Sequence, residues 1–184
     1  NKGLNILDNV KIKHLNGEYY LTEDLIIEEN YFLSKGDKLN INKDIKIFFK
    51  KDAILFSEGS ISFNGTFEKP ILIYSDKGYG SLILSNNSYK IQNTIFQNLS
   101  YPKSKDKILY GGINIINSNL SIMDTEIKFS NSEDAINIIS SKSYIENLMV
   151  TNSFADAIDI DFGELAFNNI ICQDISNDCL DVSG

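Results

Sequence analysis

From residue 80 onward the chain alternates apolar and polar residues in short bursts, and the bursts recur. Residues 134–155 read DAINIISSKSYIENLMVTNSFA and residues 156–177 read DAIDIDFGELAFNNIICQDISN; both units are 22 residues long and align without gaps. A further copy opens at 178 as DCLDVSG. Residues 111–133, GGINIINSNLSIMDTEIKFSNSE, align with one insertion, and residues 80–101, GSLILSNNSYKIQNTIFQNLSY, align at the original length. The segment between them, PKSKDKILY over 102–110, reads as an inserted loop. A fixed period of this size is the mark of a repeat architecture, in which one unit cannot bury its own apolar face.

The columns of this alignment predict strands. Leu82/Leu84, Ile113/Ile115, Ile136/Ile138, Ile158/Ile160 and Leu180/Val182 share two positions, two residues apart with a polar residue between them. That spacing is a half-buried strand. A second apolar column holds Ile91, Ile122, Ile145 and Phe167, and a third holds Phe96, Ile127, Val150 and Cys172. Each unit thus offers about three short strands separated by Asn, Ser and Gly, with no helical rhythm. Asn93, Asp124, Asn147 and Asn169 recur at one turn position, where stacked amides can bond along the column as well as to local backbone. Three strands per unit, units stacked about 4.8 Å apart, describe an all-β parallel solenoid. Neither the leucine-rich-repeat pattern nor a six-residue rhythm is present.

These columns resemble the right-handed parallel β-helix, the pectate-lyase-like superfamily, over residues 80–184. Residues 1–184 then read as one β-helix domain with about 22 residues per turn. Residues 20–79 fit as irregular turns, and NGTFEKPILIYS within them is similar to the first turns of bacterial surface β-helices. Residues 1–19 are expected to cap the stack, because an open solenoid end is an exposed sheet edge. The last unit stops one strand into a new turn, so the natural chain is expected to continue past 184.

Composition narrows the chemistry. At 42% hydrophobic residues the 184-residue chain is too apolar for disorder. All 17 basic residues are lysine, against 25 acids, so a nucleic-acid partner is disfavoured and no guanidinium exists to grip a carboxylate or phosphate in two places. Charge is also uneven: residues 1–110 hold 15 lysines against 13 acids, and residues 111–184 hold two against 12. The second half suits a cation or a neutral polar ligand better than a polyanion, or its acids simply solubilise the surface. No apolar run reaches the length of a membrane span. Cys172 and Cys179 are too few for a disulfide framework and read as two buried free thiols. His14 lies far in sequence from every acidic cluster and reads as a surface or cap residue. Tyr19, Tyr20, Tyr31, Tyr79, Tyr89, Tyr101 and Tyr110 are candidates for sugar stacking or, equally, strand rims.

The carboxylates near the C-terminus are the one candidate constellation. If Ile158 and Ile160 point inward, Asp159 and Asp161 point outward on one face, about 6.5–7 Å apart. Asp181 stacks beside Asp159 on the next turn and Asn137 on the preceding one, while Asp134, Asp156 and Asp178 form a column just before that strand. Stacked carboxylates repel, and three arrangements relieve this: a bound Ca²⁺, a raised pKa suited to a general acid, or plain solvation. Polygalacturonase-type hydrolases of the superfamily carry three aspartates on the equivalent face, which implies catalytic roles for Asp159, Asp161 and Asp181. No N-T-D, H-G or arginine accompanies them here. The calcium-dependent lyases of the superfamily likewise set a basic residue beside their aspartates, and Lys142, at a turn, is the only lysine nearby.

The expectation is therefore a secreted or cell-surface module that binds or displays polysaccharide without catalysis. Asp156, Asp159, Asp161, Asp178 and Asp181 are its expected ligand-binding residues, with calcium at Asp159, Asp161 and Asp181. The alternatives are a glycoside hydrolase or polysaccharide lyase using those aspartates, or a structural spacer.

Overall fold

Alternating apolar residues become strands that bury one side, and here the buried side faces a shared axis. The computed structural model describes residues 3–103 and 109–184. One wall is an eight-stranded parallel sheet: Leu4–Asn5, Tyr31–Leu33, Ile54–Ser57, Ser81–Ser85, Gly111–Ile116, Asp134–Ile139, Asp156–Asp161 and Leu180–Ser183, in that order. Eight stacked strands mean a parallel β-solenoid of eight turns. The other two walls belong to a single twelve-stranded sheet, because Asn119–Lys128, Lys142–Ser153 and Glu164–Ile175 each run across both walls.

The registers follow the sequence columns. Leu82 pairs with Ile113, Ile113 with Ile136, Ile136 with Ile158 and Ile158 with Leu180. Ile91, Ile122, Ile145 and Phe167 stack on the second wall, and Phe96, Ile127, Val150 and Cys172 on the third. Along the axis these residues form one continuous core in which Ile136, Ile138, Ile145 and Val150 are fully buried. In the last turn Phe167 is 56% and Val182 63% exposed, since no described strand stacks beyond them.

From residue 81 to 175 each turn bends at three corners, and each of these corners is built on a residue in the left-handed region. The first corner holds Asn86, Asn117, Ser140 and Phe162; the second Asn93, Asp124, Asn147 and Asn169; the third Asn98, Phe129, Asn152 and Asp174. Left-handed backbone crowds Cβ against the carbonyl, and Asn and Asp tolerate it best. The second corner also forms the expected ladder: Asn147 Nδ2 donates to Asp124 Oδ1 at 2.9 Å and Asn169 Nδ2 to Asn147 Oδ1 at 3.1 Å.

At the N-terminal end Leu4–Asn5 already pairs in parallel with Tyr31–Leu33. Ile12–Leu15 folds back antiparallel on Glu18–Leu21 and lies at the outer edge of its sheet. The expected loop over 102–110 separates the strands Thr94–Gln97 and Gly111–Ile116, and its residues 104–108 lie outside the described residues.

The cysteines correct the free-thiol expectation. Cys172 and Cys179 are joined by a disulfide across the last third corner, with Cα atoms 5.7 Å apart. In the final turn Cys172 is only partly buried and Cys179 is exposed, because no further turn covers them. The bond fastens Leu180–Ser183 to the wall that precedes it.

Candidate functional site

The outer surface of the first wall gathers the acidic residues. Register sets Asn137, Asp159 and Asp181 in one row, Asp134 beside Asp156, and Ile139, Asp161 and Ser183 in another. Ile158 and Ile160 point inward, so Asp159 and Asp161 stand outward and partly exposed. Most of these groups already have partners. Asp156 Oδ1 accepts from the backbone N–H of Asp178 and from Asn177 Nδ2, both at 2.8 Å. Asp159 Oδ2 accepts from Asn137 Nδ2 at 2.7 Å, and Asp161 Oδ1 accepts from Ser183 Oγ at 2.7 Å. Asp156 is thus a corner-former that holds the next turn in register.

Asp134 differs from its neighbours. It is 3% exposed, and its Oδ2 is buried with no hydrogen-bond partner. Burial, with Asp159 and Asp156 the nearest like charges, pushes its carboxyl up to about 7 from an ordinary 3.8. Burial, Asp161 and Asp181 also raise Asp159, against the lowering hydrogen bond from Asn137. The structure therefore contains a carboxyl held in its acid form near neutrality, as a general acid would be. Its Oδ2 is covered, and the residue as a whole is 3% exposed. Among the described residues no group of three or more His, Cys, Asp or Glu side chains is placed to hold a metal ion. Lys142 pairs with Glu164 at 3.1 Å on the second wall, away from these aspartates.

A different place has the character of a binding surface. Along the third corner runs an open groove of about 540 Å³, lined among others by Gln97, Asn131, Asn152, Asp174 and two phenylalanines, Phe129 and Phe154. Phe129 is 50% and Phe154 72% exposed. Phe129 has φ +53° and occupies the left-handed corner position that Asn98, Asn152 and Asp174 fill in the other turns. A bulky residue there is strained, by about 1–3 kcal/mol, and strain of this kind gathers at functional sites. The floor is polar but internally satisfied: Ser153 Oγ donates to the Asp156 carbonyl at 2.8 Å, and Ser130 and Ser132 share a hydroxyl contact at 2.7 Å. Asn131 Nδ2 donates to Asn98 Oδ1 at 2.5 Å and fixes one wall. Phe129, Phe154 and Asn152 were not among the residues read from the sequence as binding residues. The signal was the column itself, in which a phenylalanine interrupts a run of Asn and Asp.

The other sequence candidates are mostly structural. The Tyr89 hydroxyl lies in the core 2.8 Å from both the Ser57 and the Ser85 carbonyl, its single proton shared between them, and burial raises it to about 12. His14 stacks on Tyr19 with ring centroids 4.5 Å apart in the N-terminal hairpin. Tyr101 and Tyr110 are exposed at the ends of the inserted loop. Among the described residues no helix is long and apolar enough to cross a membrane. No protein-family model, curated protein or solved structure matches the chain; the class that the coordinates define is the parallel β-solenoid, with an aromatic groove along one corner.

Proposed function

We propose that this chain is a secreted or cell-surface module of the right-handed, pectate-lyase-like β-helix kind that binds or displays polysaccharide without cleaving it. One observation carries the reading: Phe129 is held in a strained left-handed corner, half exposed, beside Phe154 and over an open, amide-lined groove. A sugar ring has an apolar face of C–H groups and a rim of hydroxyls, and a phenyl surface flanked by amides matches both. The Cys172–Cys179 disulfide supports an oxidising compartment outside the cytosol. The covered Asp134 and the absence of arginine weigh against hydrolysis or elimination at the aspartates.

The test is electrophoresis through gels cast with polysaccharides, run on the wild type and on Phe129→Asn/Phe154→Ala. Retardation in at least one glycan, lost in the variant, is expected; no retardation in any overturns the reading. The alternative, a glycoside hydrolase working through Asp134 and Asp159, draws on the raised pKa values of that pair. It requires new reducing ends when the protein is incubated with oligosaccharides, and none are expected.

A further inference from the structure

The groove's chemistry narrows its ligand beyond polysaccharide in general. We infer that the third-corner groove takes an uncharged glycan, one bearing hydroxyl or acetamido groups, and rejects polyuronates and other polyanions. This rests on the glycan-binding reading above and names the ligand class for that same site.

Charge is the first ground. The lining contains a single ionisable side chain, Asp174, and no lysine. Of the four turns that line it, the three over residues 111–184 hold two lysines, Lys128 and Lys142, each engaged by a glutamate, Glu126 and Glu164, and the turn over residues 80–101 adds Lys90. Twelve acids occupy the same turns. A chain carrying one carboxylate per sugar would meet Asp174 with no lysine among the lining residues and no guanidinium in the chain to offset its desolvation.

The second ground is the pattern of polar groups. Gln97, Asn131 and Asn152 are amides, each with a donor and an acceptor end, as hydroxyl and acetamido groups require. Serines line the floor but are bonded to the protein itself, and Asn131 donates to Asn98 and to the Phe129 carbonyl, which leaves Gln97 and Asn152 to meet the ligand. The third is the apolar surface. Phe129 belongs to one turn and Phe154 to the next: the Phe154 N–H donates to the Ser130 carbonyl at 3.1 Å. The two rings thus stand on successive turns, offset by two residues along the chain, and present a diagonal apolar surface to a ligand.

The experiment uses three probes of stated charge at equal length: a neutral β-glucan or N-acetylchitooligosaccharide, an oligogalacturonate, and a de-acetylated chitooligosaccharide. Binding is measured by titration calorimetry at low and at 0.5 M salt, for the wild type and for Phe129→Asn, Phe154→Ala and Asn152→Ala. Expected is binding of a neutral probe that changes less than about twofold with salt and weakens by about tenfold or more in either phenylalanine variant, a factor equal to about 1.4 kcal/mol. Circular dichroism melting of the same variants distinguishes lost binding from lost fold. Preference for the galacturonate or for the cationic probe overturns the inference while leaving glycan binding intact. Neutral binding indifferent to all three variants overturns the placement in this groove. Failure of every probe overturns both this inference and the reading on which it rests.

Discussion

The acidic patch on the first wall and the groove along the third corner lie on the same turns and contrast in how they use their side chains. In the patch, conspicuous residues are committed to the fold: Asp156 ties down residues 177 and 178, Asn137 bonds Asp159, and Ser183 bonds Asp161. In the groove the exposed groups are apolar: Phe129 and Phe154 stand out among the amides, and Phe129, like Phe162 beside the patch, occupies a left-handed corner. The charged groups stacked along the first wall tie successive turns together; the ligand surface proposed above lies at another corner, where a phenylalanine replaces the Asn or Asp of its column.

That contrast can be broken or sharpened by measurement. The largest effect is expected at Asp156. Asp156→Ala removes both hydrogen bonds to the following corner and should cost about 2–3 kcal/mol in chemical denaturation, with glycan retention unchanged below the transition. An unaltered midpoint would show the patch to be dispensable to the fold. Reducing the Cys172–Cys179 bond reopens a short loop and should cost about 2 kcal/mol, most of it in the last turn, visible as faster amide exchange across Leu180–Ser183.

Asp134 gives a pH signature of comparable size. Its folded pKa of about 7 lies above the ordinary 3.8, so between these values the folded protein holds a proton that the unfolded chain has released. Stability therefore falls as pH rises from about 4 to 7 and levels off above, by about 1–3 kcal/mol; the raised Asp159 acts in the same direction. Asp134→Asn should flatten this slope and stabilise the protein at pH 8 while changing little at pH 4. A slope of the opposite sign in the wild type would show that Asp134 is paired rather than isolated.

Much of the fold is legible in the sequence because a solenoid writes its contacts at a fixed interval. The column Ile113, Ile136, Ile158, Leu180 is also the hydrogen-bonded register, and the Asn93, Asp124, Asn147, Asn169 column is also the second left-handed corner. Less of the site is legible. Asp134, Asp156 and Asp178 share a column, yet Asp134 is buried, Asp156 partly exposed and Asp178 exposed, because burial depends on how many turns cover each one. The disulfide was hidden for a related reason: Cys172 occupies a core column, and only the corner geometry of the final turn brings Cys179 back to it. Phe129 could be seen as a break in its column, but only the backbone angle shows that the break carries strain.

The smallest expected change in stability tests the central claim most directly. Phe129→Asn gives up part of a half-buried ring, roughly 1–2 kcal/mol, but relieves about as much strain and restores the residue type favoured at that corner. Melting temperature and retardation in a neutral polysaccharide gel should be measured together on this one variant. The expected result is a melting temperature unchanged or raised by up to about 4 °C, with retardation abolished. A variant that melts at least 5 °C lower yet still binds would contradict the account, since Phe129 would then serve the fold and not the ligand.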